Sequence, residues 1–285
     1  MFVWSRLASS KWRDAWEERF HGLGQTNAVF TDLPGSRSFR LEVYVAKEED
    51  ARRIQKQFGG SLRRLQMENW AAATPPPARP LRVRGRLVVY HGGDEATAAR
   101  LREAEAPTPL LHIPPDLAFG TGDHATTSTC LRLLHDTIRR HNRENPSAPA
   151  MADLGTGTGI LALAARLWGA SPVFACDFDP LALRVARKNA RANQVSGISW
   201  KQLDITSWNP ERSYNIVVAN VFANVLIKAM PALHASLAPG GQWILSGILT
   251  EHWEDVAIGI EEHRLALSRK VVRGKWVTAT GTLAA

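Results

Sequence analysis

From Met151 to Leu249, short apolar runs alternate with longer amphipathic ones: MADLG, GILALAARLWGA, PVFACD, PLALRVARKNARANQ, ISWKQLD, YNIVVAN, ANVLIKAMPALHASL and GQWILSGIL. Consecutive parallel strands need a crossover, and a helix supplies it, so this alternation calls for an α/β domain with a mostly parallel sheet covered by helices on both faces. The pattern breaks at the end of the chain. After a helix in TEHWEDVAIGIEEH, the runs RLALSRKVV and KWVTATGTL flank a tight turn at Arg273-Gly274 and are expected to pair as an antiparallel hairpin at one sheet edge. A second break lies at Ala73 to Pro80, ATPPPARP, where four prolines exclude helix and favour an extended connection.

Ahead of the prolines, FVW reads as a short strand. SRLASSKWRDAWEERFHGL reads as a helix, with Leu7, Trp12, Trp16 and Phe20 at near-helical spacing. NAVFTDL and FRLEVYVA read as strands joined through PGSR, KEEDARRIQKQF as a helix that starts with acids, and SLRRLQ as a closing strand. The order β-α-β-β-α-β is that of a ferredoxin-like unit. Residues 1–72 are therefore read as a small ferredoxin-like α+β domain, 73–112 as a linker and connecting segment with one strand in LRVRGRLVVY, and 113–285 as the wound α/β domain.

Composition narrows the function classes. Lys and Arg number 35 against 27 acids, a net charge of +8, but no block of like charges stands out, so direct nucleic-acid binding is not expected. No apolar run approaches the roughly 18 residues of a membrane span. The first residues lack a secretory core, and Asp14, Glu17 and Glu18 oppose a transit peptide, so the expected compartment is the cytoplasm. Cys130 and Cys176 form neither a disulfide framework nor a zinc ligand set, and no metal is expected. Ten tryptophans are many; Trp12 and Trp16 suit a core stripe, Trp276 an edge, and Trp70, just before the linker, packing between the two domains.

The motif DLGTGTG, Asp153 to Gly159, joins an apolar strand to an Ala/Leu-rich helix. Gly155, Gly157 and Gly159 let a ligand approach the strand end closely, although such a turn can also be only a tight connection. The next strand ends in Asp177, 22 residues beyond Gly155, where wound sheets place an acid for ribose hydroxyls. Asp179 before Pro180 reads as a helix cap. No second mononucleotide-binding half follows for a nicotinamide, which favours S-adenosylmethionine over NAD. AFGTGDHATT precedes an apolar helix; Thr126 or Thr127 either caps it or faces a carboxylate. Asn220, at the end of YNIVVAN, either meets a ligand at the carboxyl edge of the sheet or caps the following helix. The face formed by Arg184, Arg187, Lys188 and Arg191 reads as solvated.

Taken together, LAFGTGDHATT, DLGTGTGILALAA, ACDFDPLALRVARKNARAN, IVVANVFANVL and LAPGGQWILSGIL resemble, in order and spacing, the ribosomal protein L11 methyltransferases of the PrmA family. The resemblance spans Pro114 to the C-terminus. It implies a seven-stranded class I methyltransferase (Rossmann-like) sheet, S-adenosylmethionine as cofactor, and cofactor contacts at Thr127, Gly155, Asp177 and Asn220. It also implies a substrate-recognition role for the small N-terminal domain.

The expected activity is protein N-methylation of lysine and/or α-amino groups, with ribosomal protein L11 as first target and a monomer as working state. Asn220 is expected to accept a hydrogen bond from the substrate amine, Phe119 and Phe222 to wall the pocket, and Asp204 either to meet adenine, with Ile205 against the ring, or to be a solvated turn acid. His124 is either a proton acceptor or a group that fixes the glycine loop. Competing expectations are methylation of another protein lysine, such as one on an electron-transfer flavoprotein subunit, methylation of RNA, or a non-catalytic ribosome-associated module. The Asn-Pro-Pro-Tyr type motif of nucleic-acid amino methyltransferases is missing where Val221 and Phe222 follow Asn220, which disfavours RNA as the methyl acceptor.

Overall fold

The computed structural model describes residues 2–10, 16, 27–33, 36–45, 47–64, 80–92, 94–114 and 125–283. The chain divides into two compact units, Met1–Pro76 and Pro77–Ala285.

In the first unit, strands β1 (Phe2–Ser9), β2 (Asn27–Asp32), β3 (Ser38–Val45) and β4 (Ser61–Arg64) form an antiparallel sheet of order β2-β3-β1-β4, with helix α1 (Glu48–Phe58) between β3 and β4. This is the strand order of the split unit read from the sequence. Phe39, Leu41, Val43 and Val45 alternate along β3 and pack with Trp4, Ala51 and Ile54. Leu7 does not belong to a helix. It lies on β1, which runs to Ser9 and pairs with β3 along its whole length, and its side chain is exposed. Strand pairing on both sides of β1 overrides the helical spacing of a few apolar residues. Trp12, Phe20 and Trp70 fall outside the described residues.

The second unit begins with a small sheet of order β5-β6-β7, made of β5 (Leu81–Val83), β6 (Leu87–Tyr90) and β7 (Leu110–His112), with helix α2 (Glu95–Ala104) capped by Asp94. LRVRGRLVVY is thus two strands, not one. Arg84 and Gly85 both take positive φ, 54° and 62°, and turn the chain between them. Nor is this stretch only a connection: Val83, Leu87, Val89, Leu111 and Ile113 join the core of the larger sheet. Asn193 ties it further, accepting from the His112 N–H (2.7 Å) and donating to the His112 carbonyl (2.8 Å).

The rest of the unit runs α3 (Ala125–Glu144), β8 (Met151–Leu154), α4 (Ile160–Leu167), β9 (Val173–Asp177), α5 (Pro180–Ala192), β10 (Ile198–Gln202), β11 (Tyr214–Asn220), α6 (Ala223–Ser236), β12 (Leu237–Leu249), α7 (Trp253–Glu262), β13 (Leu265–Arg273) and β14 (Trp276–Leu283). Its strands form one seven-stranded sheet, β10-β9-β8-β11-β12-β14-β13, parallel except where β14 runs antiparallel to both neighbours. This is the class I methyltransferase sheet. The reversed strand lies one place in from the edge, and β13 takes the edge itself.

Alternation along the central strands divides the core in two. Met151, Ile216 and Val218 face α3 and α4, whereas Ala152, Leu154, Val217 and Ala219 face α6 and α7. By the same alternation Asp153 and Asn220 belong to the α3 side. Among the described residues no helix is long and apolar enough to cross a membrane.

The reversed strand is locked by Gly281, which is buried opposite Leu267 beneath Trp243. A Cβ there would lie 1.9 Å from the Ala266 carbonyl oxygen and 2.4 Å from the Trp243 ring. Gly281→Ala is expected to lower the unfolding free energy by about 1–3 kcal/mol, the cost of overpacking a closed core. Urea unfolding monitored by tryptophan fluorescence checks this, and an unchanged midpoint contradicts the packing described.

Candidate active site

The carboxyl ends of β8, β9 and β11 bring the site together. At the end of β8 the chain enters the glycine loop, where Gly155 takes φ 74° and its N–H and that of Thr156 both donate to the Cys176 carbonyl at 2.9 Å. Gly155 cannot carry a side chain: a Cβ would meet Val221 Cγ1 at 2.3 Å. Gly159, in the left-handed region, starts α4. Asn189 on α5 donates to the Thr158 carbonyl at 2.9 Å and holds the loop from the far side.

Asp153 anchors the loop from beneath. Its Oδ2 accepts from Thr156 Oγ1 at 2.6 Å and from the Ala162 N–H at 3.1 Å, while Oδ1 is buried with no hydrogen-bond partner among the described residues. Burial pushes this carboxyl up to about 7; the Thr156 and Ala162 bonds oppose the shift and the charge of Asp177 adds to it. An acid at the last-but-one position of an otherwise apolar strand was the signal for this residue, which motif reading treated only as the start of the glycine run. The neighbouring thiols are inert: burial raises Cys130 to about 12 and moves Cys176 upward as well.

Asp177 ends β9 and is buried. Oδ2 accepts from the Gly157 N–H at 2.9 Å and Oδ1 from the Asp179 N–H at 3.0 Å. Desolvation raises its pKa against those backbone bonds. The Phe178 N–H favours the charged form as well, and a carboxylate held by backbone donors at this strand end stands where wound sheets place an acid for ribose hydroxyls. Asp179 caps α5 by accepting from the Leu181 N–H at 2.8 Å. Phe178, between the two acids, is 73% exposed, a large apolar ring beside the site that the sequence reading passed over.

Asn220 ends β11 and does not cap α6; Phe222 occupies that position and makes no side-chain cap. Instead Asn220 Nδ2 approaches Thr127 Oγ1 at 3.4 Å, in the first turn of α3, and its Oδ1 is buried without a partner among the described residues. Thr127 is 1% exposed, so it too serves the strand end and not solvent. The residues thus form a continuous line of contact: Asp177 to Gly157, Gly155 to Val221, and Asn220, next in the chain, to Thr127.

Asp204 is set apart from this line. Its Oδ1 accepts from the Thr206 N–H (2.9 Å) and hydroxyl (2.8 Å), capping a single helical turn, although the Leu203 N–H donates to the Asp177 carbonyl at 3.1 Å and keeps the two strand ends adjacent. Ile205 is buried in the core on the α6 side. Phe222 is 62% exposed at the start of α6. Phe119 and His124 lie outside the described residues.

The model of the family described as ribosomal protein L11 methyltransferase (PrmA) matches residues 25–283. The ribosomal protein L11 methyltransferase of Pelotomaculum thermopropionicum is 36% identical over 229 residues, covering 79% of this chain and 69% of that one. Its counterpart in Agrobacterium fabrum is 35% identical over 215 residues, 74% and 69% of the two chains. Among solved structures, the ribosomal protein L11 methylase of Lactobacillus delbrueckii subsp. bulgaricus superposes with a TM-score of 0.59 at 24% identity, over 72% of this chain and 99% of that one.

The Asp153 anchor has a pH signature. An unfolded carboxyl loses its proton near 3.9, whereas native Asp153 keeps it to about 7. Between those values the native state binds the extra proton, so this residue's contribution to stability falls as pH rises, by about 1.4 kcal/mol per unit, and levels off above about 7. The difference in unfolding free energy between the wild type and Asp153→Asn is therefore expected to change steadily from about pH 5 to pH 7. Urea melts of both proteins across that range check it; a pH-independent difference contradicts it.

Proposed function

Because the chain belongs to the ribosomal protein L11 methyltransferase (PrmA) family, we propose that it methylates lysine and/or α-amino groups of ribosomal protein L11 with S-adenosylmethionine as methyl donor. The observation that carries this reading beyond family membership is the buried Asn220 Oδ1, without a partner among the described residues, beside a glycine that has no room for a side chain and in line with the Asp177 carboxylate.

The residues present suit the cofactor. Gly155, Gly157 and Gly159 leave backbone open at the strand end, Asp177 accepts from the ribose hydroxyls, and Thr127 with Asn220 borders the methionine end. Asp204 retains Oδ2 for the adenine amino group. S-adenosylmethionine supplies an electrophilic methyl on a sulfonium centre.

The protein's share of the chemistry is positioning and desolvation. A lysine in bulk water at pH 7 needs about 4.6 kcal/mol to lose its proton, and an α-amino group only about 1–1.4. We assign Phe119 and Phe222 as the apolar walls that disfavour the ammonium and lower that cost. Asn220 Oδ1 accepts one N–H of the neutral amine and thereby fixes the direction of its lone pair; the Asn220 Nδ2 contact to Thr127 keeps that oxygen in place. No dedicated base is needed in this reading, which assigns His124 to fixing the glycine loop.

The N-terminal residues 1–72 hold the protein substrate and 113–285 perform the transfer. The protein acts as a monomer in the cytoplasm, where its substrate is made.

Transfer of labelled methyl groups to purified L11 tests the substrate; a folded, cofactor-binding protein that labels no L11 amine refutes it. Asn220→Ala is expected to lower kcat by about 100-fold, the usual cost of a misplaced reacting group. His124→Ala should retain turnover at saturating cofactor. Steady-state assays of both variants check this, and the reverse pattern would make His124 the proton acceptor.

A further inference from the structure

Away from the strand ends, α3 and the β13–β14 hairpin enclose a groove of about 570 Å³. Arg139, Arg140 and Arg143 line one wall and Arg269 the other, against a single acid, Asp136. That acid is already engaged, accepting both bonds of the Arg84 guanidinium at 3.1 and 2.5 Å. Arg140 donates to the side-chain amide of Gln242, and Arg143 lies 3.9 Å from Glu144. Among the described residues no acid lies within ion-pairing distance of Arg139 or Arg269.

The excess of positive charge extends beyond the groove. Arg132, on the same helix, is held below the ordinary guanidinium range by its burial and by the charges of Arg273 and Arg84. Arginines near the end of α3 also complement its macrodipole, but that does not account for Arg269 and Arg273 on the facing strand. These like charges outnumber the acids among them and repel one another, and a bound polyanion would relieve the repulsion.

We propose that the groove between α3 and the β13–β14 hairpin binds the phosphodiester backbone of a nucleic acid, as a docking surface separate from the methyl-transfer site. Guanidinium forks match phosphate oxygens in geometry as well as charge. From Arg132 to Arg143 the helix rises roughly 16 Å, a span of four or five phosphates, which exceeds what a small anion needs. The lining lacks the aromatic or aliphatic centre on which a protein partner's affinity depends, since Leu133 is its one large apolar residue and is buried. It also lacks aromatic rings for stacking bases, so the backbone alone is gripped and sequence is not read.

The test uses the full chain and fluorescein-labelled hairpins of one sequence, one RNA and one DNA, followed by anisotropy between about 50 and 200 mM salt. Affinity is expected to fall with salt at a log–log slope of about −3.6, as for four phosphates contacted on a duplex stem. The triple variant Arg139→Gln, Arg143→Gln, Arg269→Gln should lose at least about tenfold in affinity and flatten that slope by about 2.7. The corresponding lysine triple, which keeps the charge, should retain most of the slope, and Arg269→Gln alone should reduce it by about 1. A preference for one hairpin identifies the kind of nucleic acid.

No binding of either hairpin at low salt overturns the proposal. So does unchanged affinity in the glutamine triple, or displacement of the hairpins by polyglutamate at equal charge. Methyl transfer to L11 by the same variants should match wild type, so a failure here leaves the assigned reaction intact and the converse also holds.

Discussion

The site depends on one close approach. The glycine loop after β8 must pass beside Val221 at the end of β11 without a side chain at Gly155, and the backbone there sits in a region that L-residues rarely adopt. Such a conformation persists only when its surroundings impose it. Here Asp153 holds the loop from below through Thr156 and Ala162, Cys176 receives two of its N–H groups, and Asn189 holds its far side. With the loop held, Gly157 can donate to Asp177, so this acid is oriented by the same turn that leaves the strand end bare.

That arrangement requires several polar groups to be buried among apolar ones. The Asp153 and Asn220 side chains each leave one oxygen without a partner among the described residues, and both lie on the α3 side of the sheet. Their meanings differ. Asp153 relieves its desolvation by keeping a proton to about pH 7 and acts as a neutral anchor at lower pH. Asn220 cannot titrate, so its carbonyl oxygen, without a partner among the described residues, keeps its full need for a donor, and the proposed function assigns that donor to a substrate amine. A helix capped by Phe222 without a side-chain bond leaves Asn220 available for that purpose.

Much of the fold is legible locally. The strand–helix alternation, the hairpin at the end, the capping of α5 by Asp179 and the order of the small N-terminal sheet all follow from periodicity and turn chemistry over short windows. Residues 81–113 were not legible in that way. Their strands are three or four residues long, the turn at Arg84-Gly85 lacks the usual Asn-Gly or Asp-Gly signal, and several of their apolar side chains find partners only in the distant core under α3 and α4 while others pack on α2. Leu7 shows the opposite failure, a helical spacing that long-range pairing of β1 with β3 overrules.

The amino-acid order by itself determined the sheet class and the chemical types at the strand ends: glycines where backbone must be bare, an acid one strand later, and an amide at the end of YNIVVAN. It left open whether Thr127 and Asn220 were helix caps or partners of a ligand, and it placed no weight on Asp153. Tertiary structure removed the cap reading of Asn220 and gave Asp153 its place under the glycine loop; 93 residues separate Thr127 from Asn220, and only the packing of α3 against the sheet brings their side chains to 3.4 Å. The basic groove was hidden for the same reason. Arg139, Arg143 and Arg269 are scattered among acids along the chain, and their charges add only where a helix and a hairpin fold face to face.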